Sequence, residues 1–192
     1  MRETLLHETE GKTLEFKRDL SSPKNFLKTL VAFANTAGGR LIIGVEDVSR
    51  QVVGVDHPLD EEERLCNLIA DSIAPRMVPN VELVTVENKT LLIVEVYLSG
   101  TRPHWLKAEG PESGVYVRLG SSNRQADCEL IAELQRGVAG ISFDFLPMPH
   151  LTLDDLDLAA IKADFPGRTI NETTLQSLKI VVREQGKIVP TH

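Results

Sequence analysis

The chain has only two cysteines, Cys66 and Cys128, in 192 residues. Neither stands in a Cys-x-x-Cys pair, so a disulfide framework and a structural zinc site are both excluded, and two buried free thiols are expected instead. Long apolar runs are missing too. The longest, such as Leu41-Ile42-Ile43 and Leu91-Leu92-Ile93-Val94, fall far short of the ~18 residues of a membrane span, and Met1-Arg2-Glu3-Thr4 opens no signal-peptide apolar stretch. A cytoplasmic chain with no membrane partner is the expectation. The five histidines (His7, His57, His104, His150, His192) are scattered, and none has a Cys or Ser at a nucleophile's spacing. A phosphate loop is also absent. Its nearest match runs from Gly39 over four residues to Gly44, but Val45 follows where a Lys would have to reach the terminal phosphates.

What remains is an ordinary globular composition, 42% apolar and 26% charged, in a 21.2 kDa chain long enough for one sizeable domain and a fragment. The net charge of −7 argues against a protein that coats nucleic acid indiscriminately. That acidity is local: residues 51–100 carry 3 Lys/Arg against 9 Asp/Glu, whereas residues 1–50 carry 8 against 7 and residues 101–136 carry 5 against 5. The acidic run Asp60-Glu61-Glu62-Glu63 suits the first turn of a helix. A phosphate-binding face can therefore be built from the first and third segments.

Periodicity predicts a helix over Lys24–Thr36, opened by Ser21 or Ser22 before Pro23 and closed by Gly38-Gly39. A buried strand, Arg40–Val45, and a short return strand, Val52–Val55, follow. A second helix runs from about Asp60 to Ile73, then Val81–Val86 and Leu91–Leu98 pair across Glu87-Asn88-Lys89-Thr90. A strand at Val115–Leu119 and a helix near Ala126–Arg136 complete a domain over 1–137. Residues 138–152 read as a connector. Residues 153–192 read as the helical start of a further region cut short, with helices at Leu153–Phe165 and Thr173–Gln185 and a strand begun without a partner after Gly186. Phe16, Phe33, Ile42 and Val45 are expected to pack together at the centre of the domain. The fold class is α+β, a mixed β-sheet flanked by helices and followed by a short helical C-terminal segment.

The segment Glu10-Gly11-Lys12-Thr13-Leu14-Glu15-Phe16-Lys17-Arg18 interleaves two carboxylates with cations. Five steps place Glu10 and Glu15 about 140° apart on a helix and on opposite faces of a strand, so they converge only if the chain turns at Gly11. Asp47, beyond the strand Arg40–Val45, is a third carboxylate at a strand end. Three carboxylates with open positions make a reasonable site for magnesium or manganese. The alternative is three solvated acids at strand ends.

Leu14-Glu15-Phe16-Lys17, then Ala32-Phe33-Ala34-Asn35-Thr36-Ala37-Gly38-Gly39, Ile42-Ile43-Gly44-Val45-Glu46-Asp47 and Val53-Gly54 resemble, in order and spacing, the Schlafen AlbA-type (divergent AAA) domain. Tyr116-Val117-Arg118-Leu119-Gly120-Ser121-Ser122-Asn123-Arg124 and the helix after it resemble that domain's closing elements, so the likeness covers roughly residues 8–136. In bacteria and archaea such domains head transcriptional regulators and helicase-related proteins. The resemblance therefore implies a nucleic-acid-binding, DNA-binding module with Lys12, Lys17, Arg18, Arg118 and Arg124 as phosphate contacts. Animal Schlafens cleave RNA with a Glu–Glu–Asp triad between two lobes of the fold, and that pattern falls here on Glu10, Glu15 and Asp47. An endoribonuclease using magnesium or manganese at those residues, with Lys17 beside the phosphate, is thus the alternative. A single lobe implies a homodimer, and a dimerisation domain with no nucleic-acid role is a further alternative. The divergent-AAA label implies ATP, for which the chain encodes no phosphate loop.

Overall fold

The computed structural model describes residues 8–47, 49–139, 145–184 and 186–191. They fall into two compact units, residues 1–138 and 139–192. The first unit runs β1 (Leu14–Lys17), α1 (Pro23–Thr36), β2 (Gly39–Ile43), α2 (Pro58–Ser72), β3 (Ile73–Ala74), β4 (Asn80–Val86), β5 (Lys89–Val96), β6 (Trp105–Leu106), α3 (Gly110–Ser113), β7 (Tyr116–Leu119), β8 (Ser122–Gln125) and α4 (Cys128–Ala139).

Strand order in the main sheet is β1-β2-β5-β4, with β1 parallel to β2 and the other pairs antiparallel. This is the expected mixed sheet flanked by helices. Helix α1 starts at Pro23, whose fixed φ suits the first turn, and ends where Gly38 takes φ +74. Its apolar residues Phe26, Leu30 and Phe33 pack with Leu41, Ile43, Leu92 and Val94 of the sheet and Leu65 and Ile69 of α2. Period-two alternation sends Ile42, with Leu14, Phe16, Val45, Val52 and Leu91, into a second cluster. The four residues expected at one centre are thus divided, Phe33 in the cluster of α1 and the other three in the second.

The β4–β5 turn is tighter than the sequence suggests. Glu87 and Asn88 both take positive φ, 50° and 58°, which fits the two-residue turn whose twist matches a hairpin, and Lys89 already belongs to β5. The return strand expected at Val52–Val55 is reduced to one bridge, Val45 to Val52, because the amides of Val53 and Gly54 both donate to the carbonyl of Gly44. Cys66 and Cys128 are exposed, not buried.

The second unit contains a 3-10 turn (Leu153–Asp155), α5 (Leu158–Asp164), α6 (Glu172–Ser177), β9 (Val181–Glu184) and β10 (Lys187–Pro190). The helix expected over Leu153–Phe165 is interrupted because Asp157 caps α5, accepting from the amides of Ala159 and Ala160. The helix expected over Thr173–Gln185 stops at Ser177: Lys179 takes φ 59°, and the β-branched Ile180-Val181-Val182 lead into β9. β9 pairs antiparallel with β10, so the strand expected to lack a partner has one. His7, Gln185, His192 and residues 140–144 of the expected connector lie outside the described residues.

Candidate nucleic-acid interface

β1 ends the sheet, and its alternation decides where each charge goes. Glu15 and Lys17 share one face, Leu14 and Phe16 the other. Glu15 stands opposite Leu41 in the parallel register and is 8% exposed. Its Oε1 accepts from the Lys17 ammonium at 2.9 Å and from the Thr29 hydroxyl of α1 at 3.4 Å, while its Oε2 pairs with Nη2 of Arg118.

Arg118 comes from β7 and is 4% exposed. Its Nε donates to the Gly11 carbonyl at 3.1 Å, its Nη1 to Oδ1 of Asn123 at 2.8 Å, and its guanidinium lies 5.3 Å from the Phe33 ring centroid. Asn123 of β8 in turn donates to the Thr29 hydroxyl at 2.9 Å. Arg118 was expected at the surface against phosphates. It is instead an interior cation that ties β1, α1 and the β7–β8 hairpin together.

Lys17 is saturated. An ammonium has three donors, and its Nζ has three acceptors in reach: Glu15 Oε1 at 2.9 Å, the Phe16 carbonyl at 3.1 Å and Asp47 Oδ2 at 3.5 Å. Burial pulls its pKa down, but the hydrogen bond and charge of Glu15, then the charges of Asp47 and Glu10, hold it above the usual lysine value. Glu10 does turn back toward β1, as the break at Gly11 permits. Its Oε1 accepts the Phe16 amide at 2.8 Å and stands 3.8 Å from Arg50, whose guanidinium lies 4.2 Å from the Phe16 ring centroid. Glu10 and Lys17 thus cover the outward N–H and C=O of Phe16 on an edge strand that would otherwise invite pairing.

Glu15 and Asp47 therefore meet at Lys17, with Glu10 in electrostatic reach but committed to the Phe16 backbone. Among the described residues no three His, Cys, Asp or Glu side chains gather closely enough to hold a metal ion. As placed, the carboxylates do not fit the expected magnesium or manganese, because cations of the chain already neutralise them. Arg18 is exposed and pairs with Glu46 at 2.8 Å. Lys12 and Arg124 are exposed and, among the described residues, in no ion pair; Arg124 stands opposite Val117, off the face that carries Arg118 and Asn123. Sequence reasoning missed Thr29, Asn123, Arg50 and Glu46. The one available signal was Thr29, a hydroxyl inside an otherwise apolar helical face.

The Schlafen, AlbA_2 family matches residues 10–127, more than half of the chain. The chain belongs to that family. In structural terms the Schlafen AlbA_2 match takes in β1, α1, the main sheet and the β7–β8 hairpin, the elements that build the Glu15–Arg118 network. Among solved structures, the N-terminal domain of a protein named as related to the ATP-dependent DNA helicase RecG, from Nitrosomonas europaea, is 29% identical, with a TM-score of 0.49, over 64% of this chain and 91% of that one. The DIP2311 protein from Corynebacterium diphtheriae is 19% identical, with a TM-score of 0.56, over 98% of this chain and 43% of that one. The latter is a likeness of fold, and the chain spans under half of that protein's length. No curated protein matches. No helix among the described residues is long and apolar enough to cross a membrane.

Proposed function

We propose that this Schlafen AlbA_2 chain is a nucleic-acid-binding module of a longer regulator or helicase-related protein, with DNA as its first partner. The observation that carries the reading is the exposure of Lys12 and Arg18 on either side of β1, whose own charges are neutralised within the chain. Glu15 and Arg118 are buried together, at a desolvation cost that well-packed apolar side chains would avoid. The pair anchors β1 to α1 and to the β7–β8 hairpin, and so fixes the edge on which the exposed cations are presented. Around them Lys12 and Arg18 flank the edge strand, and from Lys12 to Arg18 the chain covers at most about 20 Å, enough to follow a strand backbone. Phosphate contact by Lys12, Arg18 and Arg124 gives binding that weakens with salt. A second chain facing the first supplies the opposite wall, and β4, which ends the sheet on the other side, is better covered than exposed. Fluorescence anisotropy of labelled DNA and RNA against salt tests the reading, and flat titrations at low salt would refute it.

One observation favours the endoribonuclease as a second reading: all three carboxylates, Glu15, Asp47 and Glu10, act on the Lys17 ammonium. A divalent ion at these residues would have to displace that ammonium. Cleavage of structured RNA that needs added magnesium or manganese, and is lost in Glu15→Gln, would support it.

A further inference from the structure

Tyr97 follows β5 with its side chain 66% exposed, yet the ring is not free to wander. Its phenol donates to Glu95 Oε2 at 2.8 Å, and Arg40 Nε fixes the other carboxylate oxygen at 2.8 Å. The backbone beneath is held as well. The Ser99 amide donates to the Ala34 carbonyl at 2.9 Å, and a Cβ at Gly38 would lie 2.7 Å from the Val96 carbonyl oxygen and 3.3 Å from Tyr97 Cα. Glycine at the end of α1 is what lets the two segments approach this closely. The Phe-Ala-Asn-Thr-Ala-Gly-Gly block thus braces an aromatic ring that contributes nothing to the core.

Beside the ring lies a hollow of about 270 Å³ bordered by Glu8, Thr13, Gly38, Gly39, Arg40 and Glu95. That is below the ~300 Å³ at which pockets for drug-sized molecules begin, and it suits one flat heterocycle. Arg40 and Glu95 are bonded to each other along one side and Glu8 and Thr13 stand on another, so a base here would be held chiefly by stacking on the ring rather than by its edge. Lys12, exposed next to Thr13, stands ready for the attached phosphate.

We propose that Tyr97 is a stacking platform for one unpaired nucleobase, received in the hollow beside Gly38 and Gly39, so that the interface prefers a single strand to a duplex. The inference rests on the reading of this chain as a nucleic-acid binder. A paired base keeps both faces inside its own stack and has none to offer Tyr97, whereas an unpaired base stacks on an aromatic ring whatever its identity.

The test uses the whole 192-residue chain and oligonucleotides carrying 2-aminopurine: single-stranded DNA, single-stranded RNA of the same sequence, and the DNA duplex. Single strands should bind more tightly than duplex, and their 2-aminopurine fluorescence should be quenched. Tyr97→Ala should weaken single-strand binding about tenfold or more and abolish the quenching, with the salt slope unchanged because no charge is lost. Tyr97→Phe, which keeps the ring, should stay within a few-fold of the parent. Salt-dependent binding that is indifferent to Tyr97→Ala, or tighter on duplex, overturns the stacking site alone. Absence of binding to all three at low salt overturns the nucleic-acid reading and the stacking site together.

Discussion

Arg118 and Glu15 form an ion pair inside the first unit, one from the β7–β8 hairpin and the other from β1, the strand that opens it. The pair is also the root of the surface charge pattern. Glu15 holds Lys17, Lys17 holds Asp47, and Glu10 reaches back to the same strand. The four carboxylates Glu10, Glu15, Glu46 and Asp47 face the four cations Lys17, Arg18, Arg50 and Arg118, so the edge is balanced in charge. Attraction for phosphate must then come from charges outside this set, or from pairs weak enough to open.

Removing one member of the buried pair should be severe. In Glu15→Ala the guanidinium keeps Gly11 and Asn123 but loses its only buried counter-charge among the described residues, which should cost about 3–5 kcal/mol in urea unfolding. Glu15→Leu combined with Arg118→Met should recover most of that, since neither charge is then left alone. A single-variant loss under ~1 kcal/mol would mean that water reaches the pair.

The two apolar clusters predict additivity. Phe33 and Phe16 are fully buried but belong to different clusters, so each truncation to Ala should cost about 3–5 kcal/mol. The double variant should equal the sum within about 0.5 kcal/mol, as for sites with no shared partners. Gly39 behaves differently. A Cβ there would sit 2.7 Å from the Phe33 ring, so Gly39→Ala should be destabilising alone and nearly neutral when Phe33 is already Ala.

Helices α1 and α2 were legible because one apolar face repeats at helical spacing and Pro and Gly punctuate the ends. β8, Ser122–Gln125, was not: a strand with no apolar residue has no period to read, and it forms because β7 lies beside it across Gly120 at φ 58°. The burial of Arg118 was hidden for a related reason. Local alternation places it with Tyr116 on one face, but only Glu15, far away in sequence, makes that face tolerable for a cation. In the second unit, Thr173–Val182 satisfies a helical spacing up to the point where β-branched residues take over, and a positive φ at Lys179, which apolar spacing does not report, decides the break.

His104 should make stability depend on pH. It is buried, its Nδ1 lies 2.8 Å from the Pro75 carbonyl and so carries the proton, and its Nε2 accepts from the Ser99 hydroxyl at 2.7 Å. Burial pulls its pKa below the usual 6.5, the Pro75 hydrogen bond opposing. The unfolded chain therefore binds a proton more readily, so the His104 contribution is complete above the unfolded pKa and is lost as pH falls from there toward the folded value. Urea midpoints should drop between about pH 7.5 and 5.5. His104→Gln should flatten that drop, and an unchanged pH profile in the variant would assign it to other groups.

Salt titrations separate the cations that meet phosphate from those that hold the fold. Lys12 is exposed and unpaired among the described residues, and the Arg18–Glu46 pair is exposed, worth at most about 1 kcal/mol, so both cations can turn to a phosphate at little cost. Lys12→Ala and Arg18→Ala should each reduce the slope of log affinity against log salt by about one. Lys17→Met should leave the slope alone, since its ammonium is held by Glu15, the Phe16 carbonyl and the charge of Asp47, and should instead destabilise by removing the cation from Glu15 and Asp47. A Lys17→Met variant that loses slope as Lys12→Ala does would mean that the ammonium leaves its carboxylates when nucleic acid binds. Glu15 and Asp47 would then be freed beside the phosphate, the arrangement that the endoribonuclease reading requires.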